Sequence, residues 1–121
     1  MKAVKILGIA LIIILVIGML ASENEPTWNA NLKVEKTGGL AGKSFKITNN
    51  DEVDFSSIRI EINGIYTGQI GSILKGETGY KSYNELGDET GNPMPQNIII
   101  NKGILYIESV KGTAAISFTF N

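Results

Sequence analysis

The stretch SIRIEINGIYTGQI, residues 57–70, decides the fold class of this chain. It contains two runs of alternating apolar residues, 57–62 and 65–70, separated by Asn63-Gly64. This is the strongest short-range signal for a β-hairpin, because a type I′ turn needs positive φ at both of its central residues. The stretch therefore predicts two antiparallel strands joined by a two-residue turn.

The register of this hairpin follows from counting outward from the turn. Ile62 then pairs with Ile65, and Tyr66 lies on the solvent face. In the same register Ile70 also falls on the solvent face. We therefore predict a bulge near Gly68 that returns Ile70 to the core.

Similar short alternating runs, bounded by turn residues, lie on both sides of the hairpin. They predict further strands at residues 31–35, 44–48, 79–83, 97–100, 104–108 and 114–120. Strands 97–100 and 104–108 form a hairpin in this interpretation, with Gly103 in the left-handed position of a three-residue loop. The longest loop, residues 84–96, is where we expect specificity.

These signals together predict an all-β domain: an antiparallel β-sandwich of about seven strands. An immunoglobulin-like Greek key is the default topology, and the strand order stays open.

The first 22 residues have a different character. Lys2 and Lys5 precede an uncharged run, residues 6–22, which as a helix would span about 25 Å. That length lies between the apolar region of a cleavable signal and a membrane-spanning helix. Bulky Met19 and Leu20 at the third position before possible cuts favour an uncleaved signal anchor, and a cleaved signal peptide is the alternative.

The leader also predicts on which side of the membrane the chain lies and how the chain is divided into segments. Because the two lysines stay in the cytoplasm, the rest of the chain faces outward, as a membrane-anchored or secreted domain. The predicted organisation is a leader at 1–22, a polar stalk at 23–31 and a β-sandwich at 32–121.

Composition excludes several kinds of chemistry. The chain has no Cys and no His, so it offers no thiol nucleophile, no Ser–His pair and no His or Cys ligand for zinc, copper or haem. Beyond the leader, the chain has nine basic and twelve acidic residues, and this negative balance argues against nucleic-acid binding. We predict a non-catalytic domain without a cofactor.

Part of the chain resembles the FxLYD-type modules, small extracytoplasmic β-sandwich domains of bacterial and archaeal secreted proteins. The resemblance rests on FKITNNDEVDFSSIRIEING at 45–64 and LKGET at 74–78, while the Phe-x-Leu-Tyr-Asp signature itself is absent. It implies a non-enzymatic domain outside the membrane.

Two polar loops are candidates for a calcium site, because their oxygens are the hard ligands that calcium prefers. The first loop offers Asn49, Asn50, Asp51, Glu52 and Asp54, and the second offers Asp88, Glu89 and Asn92. A site needs the strand order to bring these loops together. The alternative is that each is a solvated turn.

The interaction candidates are five residues of the aromatic set and the long loop: Trp28, Tyr66, Tyr83, Asp88 and Asn92. For the aromatic residues the alternative is packing, with Trp28 covering an edge of the core or lying at the membrane interface.

These observations lead to three functional hypotheses. The first is an accessory or envelope component, tethered by its N-terminal helix, that binds a protein partner or itself. The second is a ligand-binding module for a glycan or Ca²⁺. The third is a filament subunit, since an apolar helix followed by a β-domain is the plan of type IV pilins; assembly by strand addition is open to it.

Overall fold

The computed structural model describes residues 27–38 and 42–120 and is all-β. The predicted leader, residues 1–22, lies outside the described residues. In the part of the chain that is described, no helix is long and apolar enough to cross a membrane. The strands are β1 (Leu32–Thr37), β2 (Ser44–Asn49), β3 (Ser57–Ile62), β4 (Tyr66–Gln69), β5 (Thr78–Ser82), β6 (Gly103–Ser109) and β7 (Gly112–Phe118).

The strands form two antiparallel sheets that share one core. The first sheet has the order β1-β2-β5, and the second has the order β4-β3-β6-β7. In both β2 and β3 every second residue is fully buried, as expected for strands with one face on a core. The centre of the core consists of Phe45, Ile47, Phe55, Ile58, Ile60, Ile62, Leu105, Ile107 and Ala114.

The β3–β4 turn has the predicted type but a different register. Asn63 and Gly64 have φ values of 56° and 70°, and the amide of Ile65 donates to the carbonyl of Ile62 at 3.0 Å. Ile62 nevertheless pairs with Tyr66, so the extra residue is Ile65 at the turn. The predicted Ile62–Ile65 pair is therefore wrong.

This shift also changes which residues of β4 face the core. Tyr66 and Ile70 both pack against the core, so the prediction of a solvent-facing Tyr66 is wrong. Ile70 returns to the core as predicted, but through the extra residue at the turn and not through a bulge near Gly68. Gly68 leaves room for Leu86, because a Cβ on Gly68 would lie 2.5 Å from Cδ2 of Leu86.

Residues 97–100 do not form the predicted strand. The reason lies in the second sheet, where β6 is already paired on both sides, with β3 and with β7. No free edge beside β6 is left for another strand. The chain is instead held by Asn63, whose side chain donates to the carbonyl of Ile99 at 2.9 Å and accepts from the amide of Asn101 at 2.7 Å.

Gly103 has a different role from the predicted one. It is the first residue of β6, and it is not among the residues with positive φ. The ring of Phe118 packs where a Cβ of Gly103 would lie. The glycine is needed here for space and not for a left-handed turn.

The described chain begins at one end of the sandwich, which we call the near end. The amide of Thr27 donates to the carbonyl of Thr113 at 2.7 Å, and the amide of Asn31 donates to Asp51 at 2.9 Å. Trp28 packs against the core, with its ring centroid 6.1 Å from that of Phe55. Residues 27–31, which the sequence places in the stalk, thus contact the domain directly.

The opposite end, which we call the far end, carries the β3–β4 turn and the long loop that follows β5. The amide of Tyr83 donates to the carbonyl of Lys43, just before β2 begins. The 49–54 loop follows β2 at its other end. A β2 of six residues separates the two loops by about 17 Å at roughly 3.4 Å per residue step.

Candidate functional site

The two candidate calcium loops lie at opposite ends of the sandwich. The condition for a joint site, that strand order brings them together, is therefore not met. Within residues 27–38 and 42–120 no group of three or more acidic residues is placed to hold a metal ion.

The oxygens of the 49–54 loop are used to hold the loop itself. Asn49 is fully buried and donates to the carbonyls of Val53 and Ile73, both at 3.0 Å, while its Oδ1 accepts from the amide of Asp51 at 2.8 Å. Oδ1 of Asp54 accepts from the amide of Lys75 at 2.7 Å. These contacts are typical of a structural turn.

Asp51 ties three segments of the near end together. Its Oδ2 accepts from the amide of Asn31, and its Oδ1 accepts from the amide of Glu52 at 2.7 Å. Nζ of Lys111 lies 3.5 Å from Oδ1, and the Asp51 side chain is only 6% exposed. Asp51 thus joins the N-terminal segment, its own loop and the β6–β7 turn.

Asp88 organises the long loop at the far end. Its Oδ1 accepts from the amide and hydroxyl of Thr90, at 2.9 and 2.8 Å, and from the amide of Asn92 at 2.9 Å. The Thr90 hydroxyl and then the Asn92 amide lower the pKa of Asp88. The structure does bring Asp88 and Asn92 together, in a loop that closes on its own carboxylate.

The aromatic candidates are placed in or against the core. Tyr83 is 2% exposed and stacks on Phe45 with ring centroids 4.8 Å apart, and burial raises the pKa of its hydroxyl. Tyr66 packs against the core from β4. Trp28 covers an edge of the core, as one of its alternatives proposed. These three rings do not form a flat exposed platform.

The remaining large apolar side chains that are exposed do not converge on one place. Ile65 and Ile99 lie at the far end, Leu74 and Val110 at the near end, and Tyr80 on β5.

The four outer strand edges differ in how they are protected. The edge of β4 is short, and Thr67 and Gly87 exchange two main-chain hydrogen bonds there, both at 3.0 Å. Strand β1 carries Lys33, Glu35 and Lys36. Strand β5 carries Lys81. Short strands, charges and covering loops are the usual means by which proteins prevent edge-to-edge pairing.

Among residues 27–38 and 42–120, no such protection is found for strand β7 beyond Thr113. The last ten residues of the chain, GTAAISFTFN at 112–121, contain no charged side chain. Thr113 is covered, because its carbonyl accepts from the amide of Thr27 and its amide donates to the Thr27 hydroxyl at 3.0 Å. By the alternation of an antiparallel ladder, the main-chain groups of Ala115 and Ser117 point the same way. No backbone partner for them is found among the described residues.

The β6 residues that lie opposite Ala115 and Ser117 are also uncharged. Tyr106 of β6 lies opposite Ala115 and donates its hydroxyl to Glu61 at 3.1 Å, under the guanidinium of Arg59 at 4.2 Å from the ring centroid. Burial, followed by the charge of Glu61, raises the pKa of Tyr106, which keeps it neutral. Next along β7, Ser117 lies opposite Ile104.

Sequence reasoning missed this edge, although part of its signal is visible. The absence of charge after Lys111 can be read directly. Its importance depends on β7 being an outer strand, which follows from the strand order and not from any local pattern.

Comparisons of the chain with protein-family models, with curated proteins and with solved structures gave no match.

Proposed function

We propose that this chain is a non-catalytic, membrane-tethered or secreted β-sandwich that acts through protein–protein contacts at the outer edge of β7. One observation carries the proposal: β7 is an uncharged outer strand whose main-chain groups at Ala115 and Ser117 point away from its own sheet. An extended segment added to such an edge gains main-chain hydrogen bonds, which is the basis of recognition by strand addition.

The non-catalytic part of the proposal is supported by the chemistry of the available side chains. The chain has no His and no Cys. The carboxylates of Asp51, Asp54 and Asp88 accept hydrogen bonds that shape their own loops.

We further propose an immunoglobulin-like topology. In a sandwich of that kind the first, second and fifth strands lie in one sheet, and in the other sheet the third strand lies beside the sixth, which pairs with the seventh. The orders β1-β2-β5 and β4-β3-β6-β7 agree with this arrangement, with β4 added beside β3.

The tether is supported by the leader sequence and by the contact of Thr27 with the near end of the sandwich. An apolar run follows two lysines, and Thr27 is bound at the near end. A chain that carries an epitope tag should be found in washed membranes with Met1 still attached. A soluble product that begins near Ser22 would support the secreted form instead.

The contact itself is tested by photo-crosslinking in native membranes. A photoreactive amino acid in place of Ser117 should give a cross-linked protein product. The matched control replaces Thr78, an exposed hydroxyl residue on the outer edge of β5, and should give none. Absence of a product from Ser117, or equal products from both positions, would contradict the proposal.

A further inference from the structure

We propose that the segment added to β7 is β7 of a second copy of this chain, paired antiparallel about a two-fold axis at Ser117. This inference rests on the proposed function and names its partner. It would join two four-stranded sheets into one sheet of eight strands.

The register of the antiparallel pairing follows from the main-chain groups. In an antiparallel ladder, residues with outward-pointing groups must face each other to form hydrogen-bonded pairs. On β7 these are alternate residues, so a symmetric pair must be centred on one residue of the strand. A centre at Ser117 brings Ala115 of each chain opposite Thr119 of the other.

Thr27 determines which centre is free. A two-fold axis at Ile116 would set Thr113 opposite Thr119 of the second copy. The amide and carbonyl of Thr113 are already bound to Thr27. An axis at Ser117 sets Thr113 opposite Asn121 and leaves three outward-pointing pairs that do not involve Thr113, whereas an axis at Ile116 leaves two.

The side chains near Ser117 suit a symmetric contact. The residue on a two-fold axis meets its own copy, so a charge at that position would face a like charge and be destabilising. The strand has none from Gly112 to its end. On the core side, Ile116 and Phe118 are only partly buried. This pairing places Ile116 of each copy opposite Phe118 of the other.

Pairing of two copies through β7 is also favoured over pairing through the outer edge of another strand. Strand β1 places Lys36 on the side of Phe120, with Nζ 5.0 Å from the ring centroid. A lysine held at an edge opposes the approach of another strand. The edge of β4 is occupied at Thr67 by Gly87.

The chain has no cysteine, so single introduced cysteines test the geometry directly. In a hydrogen-bonded antiparallel pair the two Cα atoms lie about 5.5 Å apart, within the range of about 4.4–6.8 Å that a disulfide spans. Full-length Ser117→Cys, purified in detergent and oxidised, should therefore form a disulfide-linked dimer.

Two matched variants serve as controls. Ala115→Cys lies on the same edge, but pairing about Ser117 sets the two introduced thiols four residues out of register, roughly 13 Å apart. Thr78→Cys lies on the outer edge of β5. Both should stay monomeric on a denaturing gel, and a dimer from either one that equals the Ser117→Cys dimer would overturn the inference.

A charge at the axis gives a second, independent measurement. The parent chain should be dimeric by light scattering, and Ser117→Lys should be monomeric because the two lysines would face each other at the axis. The circular dichroism spectrum should be unchanged, because Ser117 is exposed. Thr78→Lys should remain dimeric. A Ser117→Lys variant that stays dimeric, or a parent chain that is monomeric, would overturn the inference.

The inference and the proposed function fail in different ways. A monomeric purified chain, together with a photo-crosslink from Ser117 to a different protein, would remove the second copy and leave the contact at β7. No cross-link from Ser117 would remove both.

Discussion

Asn49 shows how a single polar residue supports the near end. It is the one fully buried polar side chain in the described part of the chain. Its amide group holds the carbonyls of Val53 and Ile73, which belong to two different loops. Sequence alone placed Asn49 in an exposed acidic turn, since no local pattern shows that Ile73 approaches it from 24 residues away.

We expect Asn49→Ala to lower the free energy of unfolding by about 2–4 kcal/mol, because each buried acceptor left without a donor costs about 1–3 kcal/mol. Chemical denaturation monitored by circular dichroism measures this. Asn50→Ala is the control, since Asn50 is exposed, and it should change stability much less.

Asn49→Asp gives the same site a pH dependence. The introduced carboxyl faces two carbonyl oxygens, which disfavour its ionised form and raise its pKa in the folded state. A raised carboxyl pKa means that stability is fully present below the unfolded value, near 4, and is lost as pH rises above it through the folded value. Thermal unfolding should therefore show the variant approaching the parent chain on acidification, and a gap that widens instead would contradict this account.

Asp88 predicts the opposite dependence. Its pKa is lowered in the folded state, first by the Thr90 hydroxyl, so its contribution is present above the unfolded pKa and is lost as pH falls through the folded value. The difference in melting temperature between the parent chain and Asp88→Asn should be largest near neutral pH and should shrink below about pH 4. A difference that does not change with pH would show that the carboxylate charge has no role in the loop.

At the scale of strands, close packing of a side chain against the backbone requires glycine at certain positions, which composition alone does not reveal. Gly103→Ala should destabilise the domain by about 1–3 kcal/mol, because the new methyl group would meet the ring of Phe118. Gly38→Ala is the matched control, since no described residue has an atom within 4 Å of a Cβ there. Equal effects in a denaturant titration would mean that backbone entropy and not packing explains the glycine.

The strands that sequence predicted well are those with local signals. Alternation located β2, β3 and β7, and Asn63-Gly64 fixed the type of the β3–β4 turn. The register of that hairpin was not predictable, because it depends on how Tyr66 and Ile70 meet the opposite sheet. The 97–100 segment has the composition of a strand, but strand formation also needs a free edge, which only the complete sheet order reveals.

For the whole molecule, Trp28 reports whether the N-terminal segment belongs to the folded unit. It is the only tryptophan in the chain, and it packs against the core beside Phe55. Its fluorescence should therefore change at the same temperature as the β-sheet circular dichroism signal, as in a two-state transition. A fluorescence change well below that temperature would indicate a separately detaching stalk.

The candidate site belongs to this scale as well. The carboxylates singled out from sequence accept hydrogen bonds within or between loops, and the aromatic residues pack in or against the core. The absence of charge in β7 can be read from the sequence of that strand alone. That β7 is an outer strand follows only from the order of all seven strands.

The position of Thr27 at the near end has a consequence for the geometry of a pair. A two-fold axis across antiparallel strands reverses one molecule, so the N-terminal segments of the two copies leave from opposite ends of the joined sheet. Residues 23–26 reach at most about 14 Å when extended, which is less than the roughly 20 Å length of β7. Two copies anchored in one bilayer must therefore lie flat along its surface, while a pair standing upright would connect two facing membranes.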